Sequence, residues 1–191
     1  MFAGLSFALS PGDVLVLRGP NGSGKSSLLR LLAGFLAPAA GQIAWAGESV
    51  ALDPAAHRAR LHYVGHTDAV KDPLTARENL AFAAALSGAP PSAAAAGLEG
   101  FDLVPLAAVP ARYLSAGQRR RLALGRLLAL RRPLWLLDEP GVGLDAASRE
   151  RLEHALAEHR AGGGIALLAT HGDVAVEDAS TLDLAVPEPG P

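Results

Sequence analysis

The sequence predicts an α/β domain with a mainly parallel sheet, carrying an inserted block of helices. Three observations predict it. Short continuous apolar runs alternate with segments that are apolar at helical spacing. A glycine-rich loop joins the first such run to the first helix. Between Pro73 and Leu130 the pattern gives helices and loops but no strand.

Taken in order, Val14–Leu17 is an apolar run between turn residues and reads as a buried strand. The loop from Gly19 to Ser26 follows, then a helix over Ser27–Leu36. Gln42–Trp45 and Leu61–Val64 read as strands, and the alanine run Ala93–Ala96 as a loop or frayed helix. Leu134–Leu137 reads as a central buried strand, and Ala146–His159 as an amphipathic helix starting after Asp145. Ile165–Ala169 is another buried strand and Leu182–Val186 a candidate edge strand. The expected organisation is one domain over 1–191, with 1–66 and 131–186 forming the α/β core, 67–130 a helical subdomain, and 187–191 a disordered tail. No internal repeat is found.

Composition narrows the function. Half the residues are apolar, enough for a substantial core. With 17 basic and 19 acidic residues the formal charge is −2, which gives no electrostatic footprint for nucleic acid. The triplet Arg119–Arg121 reads as a solvated helix face. Without cysteine there is no disulfide, zinc knuckle, iron–sulfur cluster or thiol catalysis. The N-terminal stretch lacks the basic region of a signal peptide, and charged residues, Pro or Gly interrupt every apolar run before membrane-spanning length.

The chemistry lies in a few short motifs. GPNGSGKS, comprising Gly19, Pro20, Asn21, Gly22, Ser23, Gly24, Lys25 and Ser26, fits G-x-x-x-x-G-K-[ST] between a strand and a helix. The glycines let backbone N–H groups turn inward as an anion nest, and the helix start adds partial positive charge. Lys25 supplies a full charge for β- and γ-phosphates and Ser26 a hydroxyl for Mg²⁺; Ser27 continues the loop into the helix. LWLLDEP is a buried strand ending in two acids. Asp138 would stand beside the loop and hold Mg²⁺, while Glu139 could polarise an attacking water. Alone, the pair reads slightly better as two solvated acids at a helix cap, and it is the presence of Lys25 that turns the reading to catalysis. ALLATHGD is a second strand, ending at Thr170 and His171, where His171 could reach a γ-phosphate. His57, His62, His66, His154 and His159 form no metal set, GVG at Gly141–Gly143 is not a dinucleotide fingerprint, and no serine-hydrolase elbow is present. LSAGQ, with Ser115, Ala116, Gly117 and Gln118, opens a basic helix. Two readings stand open: Ser115 as an N-cap, or the helix start as an anion site.

GPNGSGKS, LSAGQ, LWLLDEP, GLDAAS and ATH, in that order, resemble the nucleotide-binding domain of ABC transporters over essentially the whole chain. The resemblance implies a P-loop NTPase fold of the ABC type and hydrolysis of ATP with Mg²⁺. It also implies a pair of copies packed head to tail, with each ATP between one copy's phosphate loop and the other's signature residues Ser115, Ala116, Gly117 and Gln118. Ala116 stands where the family usually has glycine. Asp145 would lie in the D-loop, lining that interface. VGHTDAVKDPLTARENLAF, with Gly65, His66, Lys71, Leu74, Thr75, Glu78, Asn79 and Leu80, is similar to the ATP-binding subunit of the cytochrome c maturation heme exporter, the CcmA family. That implies integral membrane permease partners, no nucleic acid, a peripheral place on the cytoplasmic face of the inner membrane, and heme-related export. The motor of another exporter, for drugs or lipids, is the alternative. Two departures stand out. Thr67 occupies the Q-loop position where the family has Gln, so its oxygen has a shorter reach. The family's initial strand and adenine-stacking aromatic have no counterpart before Gly19, since Phe2 is too close and reads as core. Either the chain is truncated or starts late relative to the family, or adenine is held loosely, and weakened ATP affinity is the expectation.

Overall fold

The computed structural model describes residues 4–170, 172 and 174–184. Five strands form one parallel sheet: β1 (Val14–Arg18), β4 (Leu61–Val64), β5 (Leu134–Asp138), β6 (Ile165–Ala169) and β7 (Ser180–Asp183), in the order β4-β5-β6-β1-β7. The expected strand over Gln42–Trp45 is a correction. Only Ala44–Trp45 (β2) pairs, antiparallel with Glu48–Ser49 (β3), in a hairpin separate from the main sheet. The turn residues Ala46 and Gly47, both at positive φ, let it double back on itself. The helices are α1 (Lys25–Leu32), α2 (Pro54–Ala59), α3 (Ala76–Leu86), α4 (Ala94–Gly100), α5 (Ala116–Ala129) and α6 (Ala146–Ala161).

Strand side chains alternate between two cores, as a two-fold repeat dictates when both faces are covered. Leu15, Leu17, Leu134, Leu136, Leu167 and Ala169 pack with Leu28 and Leu29 of α1. The intervening Val14, Trp135, Leu137, Ala166 and Leu168 face the other way, toward Leu122 and Leu124 of α5 and Leu152 and Leu156 of α6. Continuous apolar strands are therefore what this sheet requires, because neither face is wet.

Between β4 and β5 lie α3, α4, α5 and short 3-10 turns, with one isolated bridge, Thr75 to Pro110, among the described residues. The alanine run resolves into order: a 3-10 turn over Pro91–Ala93 leads into α4, where Ala94 and Leu98 are buried. Gly97 of α4 and Gly125 of α5 meet so closely that a Cβ on Gly97 would stand 2.4 Å from the Gly125 carbonyl oxygen. The family-like block before α3 has a local structural logic. Thr75 and Glu78 form a capping box. Asn79, nearly buried, accepts from Lys71 N–H at 2.8 Å and donates to the carbonyls of Lys71, Leu74 and Thr75. Lys71 lies over the Phe82 ring at 4.7 Å.

Candidate active site

All five strands of the main sheet are parallel, so their carboxyl ends share one edge, where open α/β sheets bind ligands. The register sets the edge residue by residue. Leu17 pairs with Ala169, and Ala169 with Asp138. The end of β5 thus stands level with the last residues of β1, and the loop Gly19–Gly24 leaves from there.

Gly19 has φ +142, and a Cβ on it would stand 2.5 Å from the Leu184 carbonyl and 2.7 Å from Ser23 Oγ. No side chain fits there. Gly24, left-handed at φ 100, is the N-cap of α1 and leaves that helix with no side-chain cap. The first amides of α1, those of Lys25, Ser26 and Ser27, have no acceptor one turn earlier in a helix. Pro20, Asn21 and Gly22 form the exposed rim, and Ser23 is buried. Ser23 Oγ has no hydrogen-bond partner in the protein. An uncapped helix start, a glycine cradle and an orphaned buried hydroxyl together fit an oxyanion such as phosphate.

Lys25 is buried and its ammonium donates to the carbonyls of Gly19 at 2.6 Å and Pro20 at 3.1 Å, which holds it inside the loop. Ser26 Oγ donates to Asp138 Oδ1 at 3.1 Å, across 112 residues of sequence. Asp138 is buried at the end of β5. A hydroxyl and a carboxylate side by side, next to a phosphate cradle, match the sparse oxygen set that Mg²⁺ takes from protein while phosphates and water fill the rest. Glu139 follows at φ +48, a left-handed conformation that costs a non-glycine residue about 1–2 kcal/mol. Its N–H donates to the Ala169 carbonyl at 2.8 Å, tying β5 to β6 beyond the regular ladder.

The signature residues lie elsewhere. Ser115 caps α5: Gln118 N–H donates to Ser115 Oγ at 3.2 Å, and Ser115 N–H to Gln118 Oε1 at 2.9 Å. The N-cap reading is therefore observed within one chain. Ser115 and Ala116 are exposed, and Gly117 packs so that a Cβ would stand 3.0 Å from the Gly143 carbonyl. Asp145 caps α6 by accepting from Ser148 N–H at 2.8 Å, and its bonds to Ser148 hold its carboxyl below the usual carboxylate range. Thr67 is exposed in the loop after β4. His171, Phe2 and the tail 187–191 lie outside the described residues.

The basic triplet needs correction. Arg119 pairs with Asp72 at 2.6 Å, and Arg121 donates to the Phe101 carbonyl. Arg120 is buried, bonded to the acidic end of β5. The sequence carried a sign of this. Arg120 stands three, four and seven residues before Ala123, Leu124 and Leu127, on the buried face of α5.

The model of the ABC transporter family matches residues 2–142. The chain belongs to the ABC transporter family. It is 56% identical over 184 residues to the cytochrome c biogenesis ATP-binding export protein CcmA of Rhodospirillum rubrum, covering 96% of this chain and 79% of that one. It is equally 56% identical over 190 residues to the CcmA of Paramagnetospirillum magneticum, covering 96% and 87%. A solved ATP-binding subunit of an ABC transporter superposes with a TM-score of 0.78 at 28% identity, over 86% of this chain and 71% of that one. An ABC ATP-binding protein from Pyrococcus furiosus shares the fold at a TM-score of 0.80 and 21% identity, over 94% and 88%. The fold is thus that of an ABC-type ATPase, and ATPases of this family bind ATP. No helix among the described residues is long and apolar enough to cross a membrane.

Proposed function

We propose that this chain is the ATP-hydrolysing subunit of a membrane export complex serving cytochrome c biogenesis, with heme-related cargo, working as a pair of copies. The observation that carries the ATPase part is the Ser26–Asp138 contact at 3.1 Å, which closes the phosphate loop onto the acidic end of β5. The biogenesis part is supported by relatives bearing that name at 56% identity.

In this reading, the loop amides and Lys25 hold the β- and γ-phosphates. Gly19, Pro20, Asn21, Gly22, Ser23, Gly24 and Ser27 shape the cradle. Ser26 and Asp138 would hold Mg²⁺, which would neutralise the charge that develops on the phosphate oxygens. Glu139 takes a proton from the attacking water, and His171 steadies the γ-phosphate. Ser115, Ala116, Gly117 and Gln118 of a second copy close the site, with Asp145 at the seam. Thr67 stands at the Q-loop with a shorter reach than Gln. The segment 67–130 acts as a helical subdomain on the 1–66 and 131–186 core. Its surface supports a membrane partner: a cavity of about 250 Å³ is lined by Val70, Lys71, Phe82, Leu86 and Arg126, with Leu86 74% exposed. The chain would then sit peripherally on the cytoplasmic face of the inner membrane.

The test is MgATP turnover against protein concentration, with Glu139→Gln in parallel. The expected result is turnover that rises faster than linearly and is lost in the variant. In cells lacking their own CcmA, the wild-type gene should restore covalent cytochrome c and Glu139→Gln should not. Full turnover in Glu139→Gln would overturn the assignment.

A further inference from the structure

Arg120 enters from α5 and ends between the carboxyl ends of β4 and β5, only 6% exposed. Its Nη2 donates to the carbonyls of Asp138 at 3.1 Å and Glu139 at 2.7 Å, and its Nε to that of Pro140 at 3.3 Å. Its Nη1 donates to the Gly65 carbonyl at 2.9 Å and Asp68 Oδ1 at 3.0 Å. A guanidinium carries five N–H donors in a rigid plane, so these bonds use its full capacity. Asp68 is braced in turn, because Arg126 Nη2 donates to its carbonyl at 3.1 Å.

Two consequences follow from the geometry. Glu139, in its left-handed conformation, is held at both ends of its backbone. Its N–H is fixed by Ala169 and its carbonyl by Arg120. The same guanidinium also grips both ends of the turn 65–68 that contains Thr67. It projects from the second turn of the helix whose first turn carries Gly117 and Gln118. One buried side chain thus joins the acid pair, the loop after β4 and the start of α5.

We infer that Arg120 is a positioning residue for hydrolysis: it sets the backbone from which Glu139 projects and makes that setting depend on the 65–68 loop and on α5. The inference rests on the reading of Glu139 as the base. Lysine cannot replace it, because one ammonium has three donors and no fork.

The test compares Arg120→Lys, Arg120→Gln, Asp68→Asn and Glu139→Gln in the full chain. MgATP affinity is measured on purified protein, and kcat and KM in membranes carrying the assembled complex. Amide hydrogen exchange over residues 139–144 is followed in parallel. The expected result is a kcat at least about tenfold lower in both Arg120 variants, with MgATP affinity within about threefold of wild type. Exchange at 139–144 should be faster, and Asp68→Asn should show a smaller loss of the same kind. A kcat within about twofold of wild type in Arg120→Lys, or unchanged exchange at 139–144 in it, would overturn the inference. Should Arg120→Gln fail to fold, Arg120→Lys and Asp68→Asn still decide, since an unchanged kcat in Asp68→Asn removes the link to the loop. Turnover retained in Glu139→Gln would instead sink the base reading, whatever Arg120 does.

Discussion

Two helix starts in this molecule handle the same physical problem in opposite ways. α1 begins with Gly24, has no side-chain cap, and is backed by buried Lys25 and the unpartnered hydroxyl of Ser23. α5 begins with Ser115 and Gln118 in a closed capping box and opens onto solvent. The first leaves its amides for an anion and surrounds them with protein. The second satisfies its own ends and presents a small, polar surface. An uncapped start inside a cradle is a binding site within one chain. On the proposed reading, a capped, exposed start acquires a role in phosphate chemistry only when another copy faces it. On that account, damage at α1 should appear in binding and damage at α5 in turnover.

The largest effect expected is at Lys25. Lys25→Ala should weaken MgATP binding by about a hundredfold or more, read by calorimetric titration, because it removes a full positive charge held inside the cradle. Ser115→Ala should leave single-chain MgATP affinity within about twofold and cut turnover by about tenfold or more. Equal loss of binding in the two variants would erase the distinction between the helix starts.

Acid probes a place remote from both. His62 lies in β4, buried, with Nε2 at 2.8 Å from the Leu130 carbonyl, and burial lowers its pKa to about 4. Arg132, Arg126 and His159 push in the same direction. The unfolded chain takes up a proton near the ordinary histidine value, whereas the folded chain resists until about pH 4. The contribution of neutral His62 is therefore full above about pH 6.5 and is lost as pH falls toward 4, to the extent of about 3 kcal/mol. Urea unfolding from pH 7 to 4.5 should show this loss, and His62→Gln should flatten it. A pH-independent midpoint in the wild type would contradict the burial argument.

The smallest effect separates capping from function. Thr75 with Glu78 at α3 forms the same box as Ser115 with Gln118 at α5. Thr75→Ala and Ser115→Ala should each cost about 1 kcal/mol of stability, seen as similar shifts in the denaturation midpoint. Only Ser115→Ala should also lower turnover. Matching turnover losses would mean that the signature serine acts merely as a cap.

Much of the sheet is legible because its strands are buried on both faces. Leu61–Val64 and Ile165–Ala169 have the bounds read for them from the sequence. The hairpin Ala44–Ser49 is not legible as such, since two-residue strands carry no periodicity. The alanine run Ala93–Ala96, which opens α4, reads only as a loop or frayed helix because alanine looks the same in a core and on a surface, and it is Ala94 with Leu98 that packs inward. At the site, Lys25, Ser26, Asp138 and Glu139 could be named from the sequence because motif and strand context fix them together. Arg120 could not be named from its neighbours. Flanked by Arg119 and Arg121, it looks like one more solvated charge, and only helical phase, counted to Leu124 and Leu127, turns it inward.

The central claim is that each hydrolytic site is built from α1 of one copy and α5 of another. The most direct test mixes two impaired chains, Lys25→Ala and Ser115→Ala, and measures MgATP turnover. A mixed pair has one wild-type phosphate loop facing one wild-type signature, so turnover should recover to about a quarter of wild type at equal proportions. Turnover that stays at the mean of the two separate variants would place both helix starts in the same chain's site and contradict the account.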